Sequence, residues 1–184
     1  MSSPSAEANR TDGLRIVPAQ PEDIARYLSL MEEIAEWLES RGIQQWRAGR
    51  FRLAADYYAH SIQQQEVYLV FIDGQLAGAA RLLSREPIVW PEVVDDEGLY
   101  VSNLAVRRLW AGQGLGLRML EWAADRAATM EKSYVRLDCF ADNAFLCRYY
   151  EQAGFTDRGE IEARFPEPVG TLRLRRYEKS VEID

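Results

Sequence analysis

The sequence has 184 residues and a formal net charge of −7 at pH 7, and hydrophobic residues make up 47% of it. This length suits one domain with a sizeable core, and the acidic excess argues against nucleic acid or an anionic membrane surface as a partner. No apolar run approaches the roughly 20 residues of a membrane span. The two cysteines lack the spacing of a zinc site, so we expect no metal. The low number of cysteines and the lack of an apolar leader segment at the start favour a cytoplasmic protein.

The first part of the chain predicts a tail, a strand and a long helix. Residues 1–12 are rich in serine, alanine and polar residues and predict a mobile N-terminal arm. Residues 13–184 are expected to form a single domain. Leu14–Val17 predicts a short strand, and a helix opens near Pro21, because proline is tolerated in a first turn. Apolar residues then recur at a spacing of three to four until Gly42 ends the helix.

A second helix and a hairpin are expected next. The segment from Phe51 to Gln65 predicts a helix after a turn. Val67–Ile72 and Gln75–Leu83 predict strands, and the Asp73-Gly74 pair between them is a strong hairpin signal. Pro87–Glu97 predicts a long irregular connection that contains a tryptophan and ends in acidic residues.

The most informative stretch is a glycine-rich loop between a strand and a helix. Leu99–Val106 is apolar enough to be a buried strand, and Leu117–Glu131 has the periodicity of an amphipathic helix. Between them, the loop Ala111–Gly116 carries three glycines spaced two apart. Glycine lets the backbone approach a ligand and adopt positive φ, and the first turn of a helix has unpartnered N–H groups at its positive end. The pattern therefore indicates a site for a phosphate or pyrophosphate.

The last part of the chain adds one helix between strands. Tyr134–Cys139 predicts a strand, and Asn143 is a suitable N-cap for a short helix that Gly154 would terminate. Phe155–Glu162 and Thr171–Tyr177 predict two closing strands. The resulting order, βααβββαβαββ, predicts an α/β (α+β) fold in which a mixed, mostly antiparallel central sheet is flanked by helices on both faces.

Two motifs, in this order and spacing, resemble the GNAT superfamily of acyl-CoA-dependent N-acetyltransferases. Ala111–Gly116 fits five of the six positions of the family's loop, Gln/Arg-x-x-Gly-x-Gly/Ala. Residues 143–155 are close to the later pattern Asn-x-x-Ala/Leu-x-x-x-Tyr-Glu-x-x-Gly-Phe. The resemblance covers residues 13–178 and is strongest over 98–156. It implies the GNAT fold and transfer of an acetyl group from acetyl-CoA to a primary amine.

The resemblance also implies which residues bind acetyl-CoA. The glycine loop would hold the pyrophosphate, and backbone groups near the end of the central strand would hold the pantetheine arm and polarise the thioester carbonyl. The implied cofactor-binding residues are Leu104, Ala105, Val106, Ala111, Gly112, Gln113, Gly114, Leu115, Gly116, Leu117, Asn143 and Tyr150. For Asn143, an ordinary N-cap explains the residue equally well.

Tyr150 is the catalytic residue that the resemblance implies. The family's tyrosine stands directly before Glu and four residues before Gly-Phe, and Tyr150 occupies that place. Its role would be to give a proton to the departing CoA thiolate. Tyr149 is about 100° away around the same helix, so the two tyrosines do not face the same cleft.

One departure from the family pattern affects phosphate binding. Ala111 stands where the family usually has Gln or Arg, so a side-chain contact to the pyrophosphate is missing there. Backbone N–H groups would supply most of the binding. We expect one of three nearby arginines, Arg107, Arg108 or Arg118, to supply the missing charge.

The sequence leaves the acceptor and the general base open. The acceptor is expected to be a small-molecule or peptide amine, and the resemblance leaves a homodimer open. His60, the only histidine, and the acidic run Asp95–Glu97 are alternative candidates for receiving a proton. The acidic run is also expected to flank the acceptor entrance and to attract cationic amines. Ser102 and Asn103 point to opposite faces of their strand, so one of them is expected to face the acceptor.

Two other functions remain as alternatives. The first is a catalytically inactive GNAT-like domain that binds CoA or a protein partner, with Ala111 as a sign of decay. The second, a minor one, is a Rossmann-like oxidoreductase. Asp138 lies at the right distance for a ribose contact, but Leu117 replaces the last glycine of the dinucleotide fingerprint.

Overall fold

Seven strands form one sheet in the computed structural model, which describes residues 13–182. Across the sheet the order is β1-β2-β3-β4-β5-β7-β6, and among these strands only β4 and β5 run parallel to each other. The predicted arm of residues 1–12 lies outside the described residues. The strands are β1 (Leu14–Pro18), β2 (Val67–Ile72), β3 (Gln75–Leu83), β4 (Gly98–Val106), β5 (Tyr134–Phe140), β6 (Thr156–Arg164) and β7 (Thr171–Ser180).

Five α-helices accompany the strands of the described region. Short 3₁₀ turns precede the first helix and follow β4. Over residues 13–182, no helix combines the length and apolar character that crossing a membrane requires. The helices are α1 (Ile24–Ser40), α2 (Arg50–Leu53), α3 (Ala55–Gln63), α4 (Leu115–Thr129) and α5 (Ala144–Gln152).

The helices divide between the two faces of the sheet. On one face, α1 buries Tyr27, Leu30 and Met31 against apolar residues of β2 and β3. On the other face, α4 and α5 pack over β4 and β5 through a second core. The members of this second core include Leu120, Ala123, Ala127, Cys147, Val101, Leu137 and Cys139. The predicted mixed, mostly antiparallel sheet with helices on both faces is therefore confirmed.

Two helix boundaries differ from the sequence prediction. The single helix expected over residues 51–65 is two short helices that meet at Ala54, whose φ of −100° and ψ of 24° are not helical. The carboxylate of Glu32, on α1, fixes the start of α2 by accepting from the N–H groups of Gly49 (2.6 Å) and Arg52 (2.9 Å). Helix α4 begins two residues earlier than predicted, because Gly114 adopts a left-handed conformation and ends the loop there.

Candidate active site

The central strands β4 and β5 pair over only part of their length. Four residue pairs join Gly98–Val101 to Tyr134–Leu137. Beyond them, β4 continues against β3 and β5 continues against β7. The paired residues of β4 are buried, whereas residues 102–104 and Asp138, directly past the last pair, are half-buried. A cleft therefore opens between the two strands at this point, which we call the split.

A bulge in β4 accompanies the split. Ala105 pairs with Ala79 and Ser102 with Arg81, so two residues of β4 oppose one of β3 between these pairs. One of the two, Asn103, has a φ of +51°, which a residue with a side chain rarely adopts. Bulges bend a strand and leave backbone groups unpaired. The predicted pantetheine segment thus begins at Leu104, which has no strand partner on either side.

The glycine loop presents free donors to open space. Gly112 and Gly114 have φ values of +75° and +77°, and a Cβ atom on either would meet nothing within 4 Å. Among the described residues, no N–H of residues 112–117 finds a backbone or side-chain acceptor, while the next helical bond runs from Arg118 N to Gly114 O. Converging N–H groups at the positive end of a helix are suited to an anion.

The start of α4, the end of β4 and helix α5 meet at Gly116. A Cβ atom on this residue would lie 2.6 Å from Tyr149 Oη and 3.9 Å from Val106 Cγ2. The half-buried Tyr149 ring therefore directs its hydroxyl to the first turn of α4. The sequence interpretation did not assign a role to Tyr149. In the sequence, the small residue at position 116 was the signal that another side chain packs closely there.

The three arginines proposed to replace the missing loop side chain have different surroundings. Arg107 binds the carboxylate of Glu33 at 2.8 Å, and the guanidinium of Arg108 stacks 3.8 Å from the centre of the Trp37 ring. Arg118 is half-buried in the first turn of α4, and no carboxylate within residues 13–182 pairs with it. Arg118 is therefore the arginine most available to an anion at the loop.

Asn143 caps α5 as the sequence predicts. Its Oδ1 accepts from Leu146 N at 3.1 Å, and its Nδ2 donates to Gln45 Oε1 at 3.3 Å. The second bond ties the start of α5 to the segment between α1 and α2. The capping interpretation of this residue is confirmed, and a cofactor contact remains a prediction.

Tyr150 is buried against the part of β5 that no longer pairs with β4. Its side chain is 6% exposed and packs on Phe155 and Tyr177, with ring centroids at 6.1 and 5.7 Å. Its hydroxyl makes no hydrogen bond to any residue of the described range. Burial raises the pKa of Tyr150, and the nearby Asp138 carboxylate raises it further. The group therefore holds its proton at neutral pH.

The candidate bases named from the sequence lie away from the split. His60 is exposed on α3. Asp95 pairs with Arg136 at 3.3 Å, and Asp96 pairs with Lys132 at 2.7 Å. These carboxylates precede the start of β4, about 13 Å along the strand from the split at 3.3 Å per residue. The acidic run thus supports the start of β4 through two ion pairs, and its place at the acceptor entrance stays a prediction.

A buried arginine braces the bulge from the face that carries α1–α3. The guanidinium of Arg81, on β3, donates to Tyr57 Oη (3.0 Å), Asn103 Oδ1 (3.4 Å) and Glu66 Oε2 (3.2 Å). Burial raises the pKa of the neighbouring Tyr58 to about 12. The sequence interpretation missed this cluster, although a single arginine within an apolar strand was a signal.

Comparisons with known proteins agree with this geometry. The chain matches the Acetyltransferase (GNAT) family over residues 29–155. It is 34% identical over 152 residues to an uncharacterized N-acetyltransferase, YesJ, of Bacillus subtilis (strain 168), which covers 80% of this chain and 84% of that protein.

Solved structures share the fold. A GNAT-family acetyltransferase from Listeria monocytogenes 4b F2365 superposes with a TM-score of 0.75 at 24% identity, covering 91% of this chain and 95% of that one. The ribosomal L7/L12 alpha-N-protein acetyltransferase RimL, in complex with coenzyme A, gives a TM-score of 0.68 at 16% identity, covering 95% and 97%. A Rossmann sheet is parallel, whereas only one pair of strands is parallel in the described sheet, so the oxidoreductase alternative is wrong. The chain belongs to the GNAT family of acetyltransferases and is an acyltransferase.

Proposed function

We propose that the protein transfers an acetyl group from acetyl-CoA to a primary amine. One observation carries this proposal: the split between β4 and β5 opens beside the free N–H groups that begin α4. A cosubstrate with a pyrophosphate, a long arm and a thioester matches this arrangement. The CoA complex of RimL, a protein of the same fold, supports the assignment.

The pyrophosphate of acetyl-CoA would lie at the glycine loop. Residues 112–117 would supply the N–H donors, and Arg118 would supply the charge that Ala111 does not. The pantetheine arm would follow the backbone of Leu104, Ala105 and Val106, which does not pair with β5, toward the split. Tyr149 would close this path from the side of α5, because its hydroxyl adjoins Gly116.

The thioester would then react at the bulge of β4. A neutral amine attacks the carbonyl carbon, a C–N bond forms, and the tetrahedral intermediate collapses with cleavage of the C–S bond. An unpaired N–H near Leu104 would stabilise the charge that builds on the carbonyl oxygen. Backbone donors serve this purpose without any particular side chain, which explains why ordinary apolar residues occupy the segment.

Tyr150 would protonate the departing thiolate. In water a tyrosine, with a pKa near 10, is a poor acid toward a thiolate whose conjugate thiol has a pKa near 8.5. The same burial that raises the pKa of Tyr150 also raises the pKa of the adjacent Cys139 thiol. A CoA thiolate in these surroundings would be a stronger base than in water, which offsets the weaker acidity of the buried tyrosine.

An assay of thiol release from acetyl-CoA tests the proposed activity. The acceptors would be spermidine, tyramine and a peptide amide that begins with serine, the last chosen because RimL modifies a protein N-terminus. Calorimetry with acetyl-CoA and NAD would accompany the assay. Amine-dependent thiol release is expected, with acetyl-CoA preferred to NAD. Tight CoA binding without thiol release from any amine would favour the inactive alternative, and preference for NAD would contradict the proposed cosubstrate.

A further inference from the structure

Asn103, in the bulge of β4, has a backbone conformation that is unusual for a strand. Four residues with side chains have positive φ among residues 13–182, and three of them, Gln65, Asp73 and Glu131, lie in turns. Asn103 alone lies inside a strand, with a φ of +51°. A turn imposes such a conformation on its residues, whereas an ordinary strand has negative φ. A contact from outside the strand is therefore needed to hold Asn103 in this conformation.

The side chain of Arg81, on β3, supplies such a contact. Its Nη1 donates to Asn103 Oδ1 at 3.4 Å. Arg81 also pairs across the ladder with Ser102, the last residue of β4 before the bulge. The hydrogen bond therefore joins the last regular pair of the two strands to the residue with positive φ. Because the donor is charged, this bond favours the bulged conformation more than a neutral donor would.

The guanidinium of Arg81 is itself held by groups on its other side. Arg81 is 4% exposed, and its Nη2 donates to Tyr57 Oη at 3.0 Å and to Glu66 Oε2 at 3.2 Å. The ring centroids of Tyr57 and Tyr58, on α3, lie 4.9 and 5.6 Å from its Cζ. Because a guanidinium is planar and rigid, these contacts also set the position of Nη1. One buried side chain thus links helix α3 to the bulge of β4.

The conformation of Asn103 sets the direction of the next peptide group. The C=O of Asn103 and the N–H of Leu104 belong to one planar unit, which turns as a whole when the dihedral angles of Asn103 change. Leu104 has no strand partner on either side, so no ladder pairing fixes this unit. The N–H of Leu104 is also the proposed donor to the carbonyl oxygen of the thioester. A return of Asn103 to extended backbone would change the direction of that donor.

We propose that Arg81 is a positioning residue for the acetyl transfer. By holding Asn103 at positive φ, it keeps the Leu104 N–H directed at the carbonyl oxygen of the bound thioester. Arg81 acts only through Asn103 and touches neither the cosubstrate nor the acceptor. This role rests on the proposed function. It assigns to a residue of β3 the preorganisation that a donor needs in order to stabilise charge as it develops.

The first experiment separates this role from a general contribution to stability. Arg81→Lys keeps the charge but loses the fork that reaches Asn103 and Tyr57 together. Removal of one donor to a developing oxyanion costs about 10²–10³ in kcat, so its misdirection should cost about tenfold to a hundredfold, with the KM for acetyl-CoA little changed. Arg136→Lys is the matched control, because Arg136 is also 4% exposed but lies in the paired half of β5. It should lower stability without lowering kcat.

A spectroscopic readout reports on the donor without any acceptor amine. Acetyl-CoA labelled with carbon-13 at the carbonyl gives one NMR signal, which is expected to move downfield when the wild-type protein binds it. The reason is that a hydrogen bond to the oxygen draws electron density from the carbonyl carbon. In Arg81→Lys, the signal of the bound cosubstrate should return toward its free position. In Arg136→Lys, it should stay at the wild-type position.

Variants of Asn103 test whether Arg81 acts through the bulge. Glycine adopts positive φ without strain, so Asn103→Gly should lower kcat less than Asn103→Ala, which loses the hydrogen bond and also disfavours the conformation. Adding Arg81→Lys to Asn103→Gly should then lower kcat by little more, so the two changes should not be additive. If Arg81→Lys does not fold, the carbonyl signals of the two Asn103 variants decide, and only Asn103→Gly should keep the downfield position.

The outcomes distinguish this role from the proposed function. An equal loss of kcat from Arg81→Lys with Asn103 or with glycine at that position would overturn the role of Arg81. A carbonyl signal that is the same in Arg81→Lys and the wild-type protein, or in Asn103→Ala and Asn103→Gly, would overturn it as well. If the signal behaved as expected while no amine released thiol, the positioning role would stand and the proposed amine transfer would fail.

Discussion

The two halves of the β4–β5 pair are built in opposite ways. In the paired half, Arg136 is 4% exposed and is held by Glu178, Asp95 and Tyr100. In the open half, Asp138 and the hydroxyl of Tyr150 have no polar partner among residues 13–182. Both halves belong to the same two strands, so local sequence propensity does not separate them. The paired half satisfies its polar groups within the protein, whereas the open half leaves them for a ligand.

This difference indicates that the two ends of the strand pair have different roles. Ion pairs and ladder hydrogen bonds fix the closed end, where an unsatisfied group would only cost stability. The open end carries a strained residue, Asn103, and half-buried polar groups, which are features that concentrate at functional sites. Substitutions in the closed half should therefore lower stability, and substitutions in the open half should lower activity or binding.

The largest effect is expected in the open half, at Tyr150. Tyr150→Phe should lower kcat by about 10²–10⁴, because the proton donor to the thiolate is lost. Its stability should change by less than about 0.5 kcal/mol, since the hydroxyl has no hydrogen bond to lose. Steady-state kinetics and urea unfolding measure the two quantities.

Tyr149→Phe is the matched control for this change. Its hydroxyl adjoins the first turn of α4, so the variant should raise the KM for acetyl-CoA more than it lowers kcat. Full turnover by a folded Tyr150→Phe protein would mean that water, and not Tyr150, protonates the thiolate.

In the closed half, the strongest effect is expected at Arg136. Arg136→Met should lower the free energy of unfolding by about 3 kcal/mol, because it leaves the shielded carboxylate of Glu178 with only the longer pair to the exposed Arg158. Chemical denaturation measures this loss. Arg173→Met, which removes an exposed pair with Glu160, should cost much less, because solvent screens that pair. Equal losses in the two variants would contradict the burial-based distinction.

Two glycines with similar positive φ values allow effects on folding to be distinguished from effects on binding. Gly114 and Gly159 have φ values of +77° and +86°, and neither faces an atom within 4 Å. Alanine at either position should cost about 1–2 kcal/mol of stability through backbone strain. Only Gly114→Ala should also weaken CoA binding, by about tenfold, because it reshapes the row of N–H donors. Calorimetry with CoA tests this, and a parallel loss in Gly159→Ala would show that the effect is not local.

The smallest effect is expected from the arginines beside the loop. Arg118→Ala should weaken CoA binding by a few-fold, or about 0.5–1 kcal/mol, which is typical of a charge near a helix terminus. Arg107→Ala should have less influence, because Arg107 is bound to Glu33. The difference should shrink as salt is raised. The reverse order of the two variants would assign the phosphate contact to Arg107.

The fold was largely predictable, because its elements have strong local signals. The Asp73-Gly74 hairpin, the Asn143 cap and the Gly154 terminus all lie where the sequence places them. The break at Ala54 was not predictable, since it depends on a carboxylate that α1 supplies from a distance. The bulge at Asn103 has only a weak local signature, because asparagine is uncommon in strands and tolerates positive φ, but one such residue does not locate a bulge.

The candidate site was predictable where backbone performs the role. The glycine loop is visible in the sequence because its conformation needs glycine. Asp138 could be placed on a strand, but its lack of a partner depends on where Arg136 and Arg176 find theirs. Ionic partners across a sheet follow from tertiary register, which local patterns do not encode.

The central claim is that the open half of the strand pair, with the glycine loop, is the acetyl-CoA site. Amide chemical shifts in a nitrogen-15 spectrum during titration with acetyl-CoA test it most directly. Saturable shifts are expected for residues 104–106 and 112–117, with little change for residues 98–101 in the paired half. Shifts of residues 98–101 with an unperturbed glycine loop, or no saturable shifts at all, would contradict the claim.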